Sequence, residues 1–180
     1  MRQHDLATMK TMNAPIKQIE KVVVNTGVGR LSAQPNFGDK MLPAIMADFA
    51  AITGQKPSER PAKKSISSFK LRQGTVVGLK ATLRRQRMES FLSKVTKVVL
   101  PRVRDFQGID PKNIDRAGNL TFGIKDHLVF PEVTPEASKT NFGMEITLVP
   151  KTPKTHDEAF QLYKELGVPF AKEEVKKKHG

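Results

Sequence analysis

Apolar residues recur along this chain with two periods, and the switches between them lay out the elements. Lys21-Val22-Val23-Val24-Asn25 is a short β-branched run closed by Thr26-Gly27-Val28-Gly29, which predicts a buried strand entering a tight turn. Met41, Leu42, Ile45, Met46, Phe49 and Ile52 then fall at helical spacing, with Asp39 as N-cap, Pro43 in the opening turn and Gly54 just past the end. From residue 75 to 84 the period drops to two. Val77, Leu79, Ala81 and Leu83 share one face, while Val76, Gly78, Lys80, Thr82 and Arg84 share the other, so this strand is expected to be packed on one side and open and cationic on the other. Met88, Phe91, Leu92, Val95, Val98 and Val99 form a second helical stripe, predicted to stop before Pro101. Residues 101–118 read as a loop with short helical turns, and residues 119–124 and 144–149 as two further strands. A last helix opens at Thr155, where Glu158 completes an S/T-x-x-E capping box, and ends at Gly167 and Pro169. Short strands joined by loops as often as by helices predict the α+β class: one mainly antiparallel sheet with helices packed on one face. The 180 residues suit a single domain over residues 1–172 with a basic tail at 173–180.

Charge changes the picture. The chain carries 31 Lys and Arg against 18 Asp and Glu, a net charge of +13. Between residues 56 and 87 lie ten of those cations and one acid, Glu59, so this stretch alone carries +9. Its cations are interleaved with serines, glycines and Phe69, a composition suited to an anionic polymer rather than to a merely solvated run. No apolar stretch reaches membrane-span length, which predicts no membrane partner. There is no cysteine, which excludes disulfides, thiolate metal sites and Cys nucleophiles.

Catalytic signatures are missing. The Thr26-Gly27-Val28-Gly29 turn lacks the third glycine of a dinucleotide fingerprint, since position 32 is Ser, and helical periodicity resumes only near residue 40. His4, His127, His156 and His179 are scattered and read as surface or cap residues; Asp105, Asp110 and Asp115 lack calcium-loop spacing. The expectation is no enzyme, no metal and no cofactor.

The sequence motifs, taken in order, resemble one family. They are Val24-Asn25-Thr26-Gly27-Val28-Gly29, Ile52-Thr53-Gly54-Gln55-Lys56-Pro57, the run from Ala62 through Lys63, Lys64, Ser65, Ile66, Ser67, Ser68, Phe69, Lys70, Leu71, Arg72 and Gln73 to Gly74, Thr82-Leu83-Arg84 with Arg87-Met88, Pro101-Arg102-Val103-Arg104-Asp105-Phe106-Gln107-Gly108, Gly118-Asn119, Phe130-Pro131-Glu132 and Gly143-Met144-Glu145-Ile146. Over residues 15–172 the ordered set is similar to bacterial large-subunit ribosomal protein number five. The resemblance implies a cytoplasmic, ribosome-bound component of the central protuberance that binds 5S rRNA on its exposed sheet side. It also implies neighbours in 23S rRNA, P-site tRNA and other ribosomal proteins, including a small-subunit bridge protein. Carried over, the 5S rRNA set is Asn25, Gly27, Gln55, Lys63, Lys64, Phe69, Thr82 and Arg84, with Phe69 either stacking on a base or packing its own loop. The tRNA-contacting loop is Ser65, Ser67, Ser68, Lys70, Arg72 and Gln73. That loop is expected to be mobile in the free protein, with Lys70 and Arg72 on one side if it is extended. The chain departs from the family in a shorter segment before Pro15, a longer loop at residues 31–39 and the extended basic tail. A non-specific basic RNA chaperone or regulator is the alternative, and a nucleotide-dependent enzyme built on Gly27 and Gly29 a more distant one.

Overall fold

The computed structural model describes residues 15–171 apart from 70, 135, 137 and 139; the basic tail, the segment before Pro15, His4 and His179 lie outside the described residues. Five strands form one sheet: β1 (Ile19–Gly27), β2 (Ser58–Pro61), β3 (Val76–Leu83), β4 (Leu120–Ile124) and β5 (Met144–Pro150). Their order is β2-β3-β1-β5-β4, and every neighbouring pair is antiparallel. Three helices, α1 (Leu42–Thr53), α2 (Arg85–Lys94) and α3 (His156–Glu165), complete the α+β fold.

Register explains why one face is covered. Val22 pairs with Leu83 and Leu148, Leu148 with Leu120; Val24 pairs with Ala81 and Ile146, Ile146 with Phe122. Cross-strand partners point to the same side, so these residues make a continuous apolar floor, and all are buried. Ile45, Phe49 and Ile52 of α1, Met88, Phe91 and Leu92 of α2, and Ala159, Leu162 and Tyr163 of α3 close over it in one core cluster. Each aliphatic side chain so buried contributes about 1.5–3 kcal/mol.

Several local expectations need correction. β1 is longer than its β-branched run: Thr26 and Gly27 continue the ladder, paired with Leu79 and Gly78, and Val28 still donates to Val77 O at 2.9 Å. It is also not buried on both faces, since Val22 and Val24 are inside while Val23 and Asn25 are half-exposed. Asp39 caps nothing; it lies in a π turn, Phe37–Met41, that leads into α1. The second helix does not stop before Pro101. Its α-helical part ends at Lys94, a π turn spans Val95–Val99, and one more turn, Leu100–Arg102, contains Pro101. The wider turn carries the chain past a residue that has no N–H to donate. Gly54, at φ +67, ends α1 as expected, and both arms of the Thr155–Glu158 capping box form at the start of α3.

His127 is neither a surface nor a cap residue. It is fully buried, stacked 3.9 Å from Phe142, with Nε2 2.8 Å from Ser138 Oγ, which in turn donates to Asp48 Oδ2 at 2.8 Å. His156 does sit at a helix start, its Nε2 3.1 Å from Pro111 O.

Candidate nucleic-acid interface

No helix among the described residues covers the second face of the sheet. One row runs Ser58–Lys80–Asn25–Glu145–Gly123, the next Thr82–Val23–Thr147–Thr121, and a third Arg60–Gly78–Gly27. Every one of these residues is half or fully exposed. Asn25 and Thr82 therefore stand on one surface, with Lys80 between β2 and β1 and with Gly27 at its margin. Asn25 is not beside a turn, as its motif suggested, but inside the ladder. No buried side-chain nitrogen or oxygen among the described residues lacks a partner, so the polar atoms of the interior are committed to the fold.

Arg84 follows directly on β3, and its guanidinium binds Glu20 Oε1 at 2.7 Å. That hydrogen bond, helped by Lys21 at 3.7 Å, holds the Glu20 carboxyl below its ordinary value. Glu20 remains a carboxylate that takes up part of the Arg84 charge. Gln55 lies in the turn after α1. Thr53 Oγ1 bonds both Phe49 O at 2.8 Å and Gln55 O at 3.0 Å, and Arg87 Nη1 approaches Gln55 Oε1 at 3.5 Å. Lys94 reaches Ile52 O at 2.7 Å and fixes the end of α1 from the other side.

Lys63 and Lys64 open a hairpin that rises from the β2–β3 edge. Its neck is closed by Ala62 N to Thr75 O at 2.8 Å and Gly74 N to Ala62 O at 3.0 Å, and Gln73 N donates to Ser65 Oγ at 2.9 Å. Ile66 and Leu71 bond to each other in both directions, and Ser67–Phe69 form a 3-10 turn at the tip. The tip is therefore turned rather than extended. Arg72 is exposed; Lys70 lies outside the described residues. Ser65, Ser67, Ser68 and Gln73 are exposed with it. Phe69 is 75% exposed and Ile66 42%, the two large apolar residues left open to solvent among the described residues, so Phe69 does not pack its own loop.

The candidate RNA-binding residues thus fall into three adjoining groups: Asn25, Gly27, Thr82 and Arg84 on or beside the open face, Gln55 at the end of α1, and Lys63, Lys64 and Phe69 in the hairpin. Lys21, Arg60, Lys80, Thr121 and Thr147 share the open face with the first group, and no motif marks them as candidates. Alternation along β3 already puts Lys80 on that face; for the others the signal is cross-strand register, which links residues far apart in sequence. Among the described residues no three His, Asp or Glu side chains gather to hold a metal. The Gly27–Gly29 segment feeds no helix start, since α1 begins at Leu42.

Residues 11–72 match the family described as "Ribosomal protein L5", and residues 76–170 match the model of the C-terminus of that ribosomal family. The chain belongs to the ribosomal protein L5 family. Among similar curated proteins, "Large ribosomal subunit protein uL5" of Halothermothrix orenii is 44% identical over 86% of this chain and 84% of its own length. The protein of the same name from Pseudothermotoga lettingae is 49% identical over 86% and 82%, and that from Fusobacterium nucleatum 44% over 93% and 88%. As a member of the L5 family this chain is a ribosomal protein of the large subunit, not an enzyme. It works on the ribosome, in association with ribosomal RNA and other ribosomal proteins. Among the described residues no helix is long and apolar enough to cross a membrane.

Proposed function

We propose that the open sheet face, the adjoining Gln55 turn and Lys63, Lys64 and Phe69 of the hairpin bind 5S rRNA, while Ser65, Ser67, Ser68, Lys70, Arg72 and Gln73 of the same loop contact P-site tRNA. The observation that carries this reading is the open face itself. A five-stranded sheet with one side left uncovered by the described residues presents Asn25, Thr82, Lys80 and Gly27 together, at the edge of the stretch that holds most of the net charge. Cations neutralise phosphates without reading sequence, whereas amide and hydroxyl side chains give directed bonds to base edges and 2′-hydroxyls. In this reading Lys63, Lys64 and Arg84 supply the first kind of contact, Asn25, Gln55 and Thr82 the second, and exposed Phe69 stacks on an unpaired base. Gly27 lets the RNA backbone approach the sheet. Contacts to 23S rRNA and to neighbouring proteins, a small-subunit bridge protein included, belong to the surfaces outside this face.

Competition between 5S rRNA and an unrelated RNA of equal length tests the main claim. Preference for 5S rRNA supports it; equal competition favours a non-specific basic RNA chaperone. The division of labour is tested by replacing Lys70 and Arg72 with Ala. The expected result is near-normal 5S rRNA affinity and folding with looser P-site tRNA on assembled ribosomes. Lost 5S rRNA binding with normal tRNA retention would assign the loop to the other RNA.

A further inference from the structure

Three described non-glycine residues have left-handed backbone: Asn36 at φ +61, Asp105 at φ +52 and Arg85 at φ +52. Asn and Asp tolerate that region because their short polar side chains bond locally, but a long side chain such as that of Arg gains no such relief. Arg85 is the first residue of α2, entered from Arg84 in extended backbone. Its side chain is exposed and makes no ion pair among the described residues; Arg84 is taken by Glu20, and Glu89, one turn along α2, is not paired with Arg85. The arginine thus strains the backbone without a visible return inside the protein, and strain of this kind is kept where something outside offsets it.

Its position indicates what that is. Arg84, Arg85 and Arg87 are all exposed and turn the corner from the end of β3 into α2. On one side the corner continues the open face through Thr82 and Lys80, and on the other Arg87 meets Gln55. We infer that Arg85 contacts a phosphate of the bound RNA, carrying its footprint from the open sheet face around the β3–α2 corner to Gln55. A guanidinium suits this role because its planar fork bonds phosphate oxygens in pairs. The inference rests on the reading of that face as the 5S rRNA platform.

The test uses the full chain, a 5S rRNA transcript and two substitutions that fit the left-handed backbone without charge, Arg85→Gly and Arg85→Asn. Both are expected to melt no lower than the wild type. Both should bind 5S rRNA about threefold to tenfold more weakly near physiological salt, with the slope of log K against log salt shallower by about one, the share of a single phosphate contact. Arg85→Lys should retain the slope. Affinity within about twofold of wild type and an unchanged slope in both neutral variants would overturn the inference while leaving the 5S rRNA platform standing. A wild type that shows no preference for 5S rRNA over an equal-length RNA sinks the platform reading instead, and the Arg85 variants are then scored on the RNA that it does bind.

Discussion

Val24 and Asn25 are neighbours on β1 and do opposite work. Val24 is fully buried, paired with Ala81 and Ile146 under the helices, whereas Asn25 is half-exposed between Lys80 and Glu145. A strand turns successive side chains to opposite faces, so past the bulge between Ile19 and Lys21, β1 builds the core with its even positions and leaves its odd ones on the open face. Polar atoms near the core are spent on the fold: Tyr163 OH donates to Gly118 O at 2.7 Å, and burial pushes its phenol up so that it stays a donor. Among the described residues the amide of Asn25 has no such duty. Stability and binding should therefore separate residue by residue, even between adjacent positions.

Val24→Ala gives the largest effect, a stability loss of about 2–3 kcal/mol from lost burial plus the cavity left behind. Urea unfolding measures it, and RNA affinity of the folded protein should stay unchanged. Asn25→Ala should do the reverse. Stability stays within about 0.5 kcal/mol, while 5S rRNA binding weakens by about 1–3 kcal/mol as a partner group on the RNA loses its bond. The same loss is expected for Gln55→Ala. A large drop in melting temperature with intact affinity in either polar variant would mean that its amide serves its own loop.

The hairpin sharpens the comparison by charge rather than shape. If about five phosphates are neutralised, log K falls with log salt at a slope of roughly −4. Replacing Lys63 and Lys64 together should flatten that slope by about one to two, and an unchanged slope would place the pair away from RNA.

How far this division is legible in the sequence depends on how local each signal is. The alternation at residues 76–83 and the Thr155–Glu158 capping box need only neighbours, and the structure has both. β2 leaves no such trace because Ser-Glu-Arg-Pro has no apolar residue; it is an exposed edge strand, where Pro is tolerated because one side of the ladder is empty. Lys80 beside Asn25 and Thr121 beside Thr147 are joined by strand pairings that periodicity cannot supply. His127 reads wrongly as a surface residue because its partner Ser138 comes from the loop before β5 and is itself bonded to Asp48 of α1, a chain of contacts that no local pattern shows.

The smallest expected effect tests the spent side of the comparison at Asp115. Its carboxylate accepts from Ala117 N and Asn119 N, both at 2.8 Å, and from Asn119 Nδ2 at 2.7 Å, fixing the turn that feeds β4. Burial pushes this carboxyl up, but the bonds from the Asn119 side chain and from the backbone of Asn119, Ala117 and Gly118 together outweigh it, and the net shift is downward. A folded value below the unfolded one means that the charged form is favoured by folding. The contribution is therefore complete above the ordinary aspartate value of about 4 and is lost as pH falls through the lower folded value. Asp115→Asn removes the ionisable group at every pH while keeping its shape. Urea midpoints should thus show the wild type ahead of the variant by a small constant margin near neutrality, with the two curves converging as pH drops below about 4. Parallel curves down to acid would show that the turn is held by its backbone alone. The 5S rRNA affinity of Asp115→Asn at neutral pH should match that of the wild type, because this carboxylate is already committed within the fold.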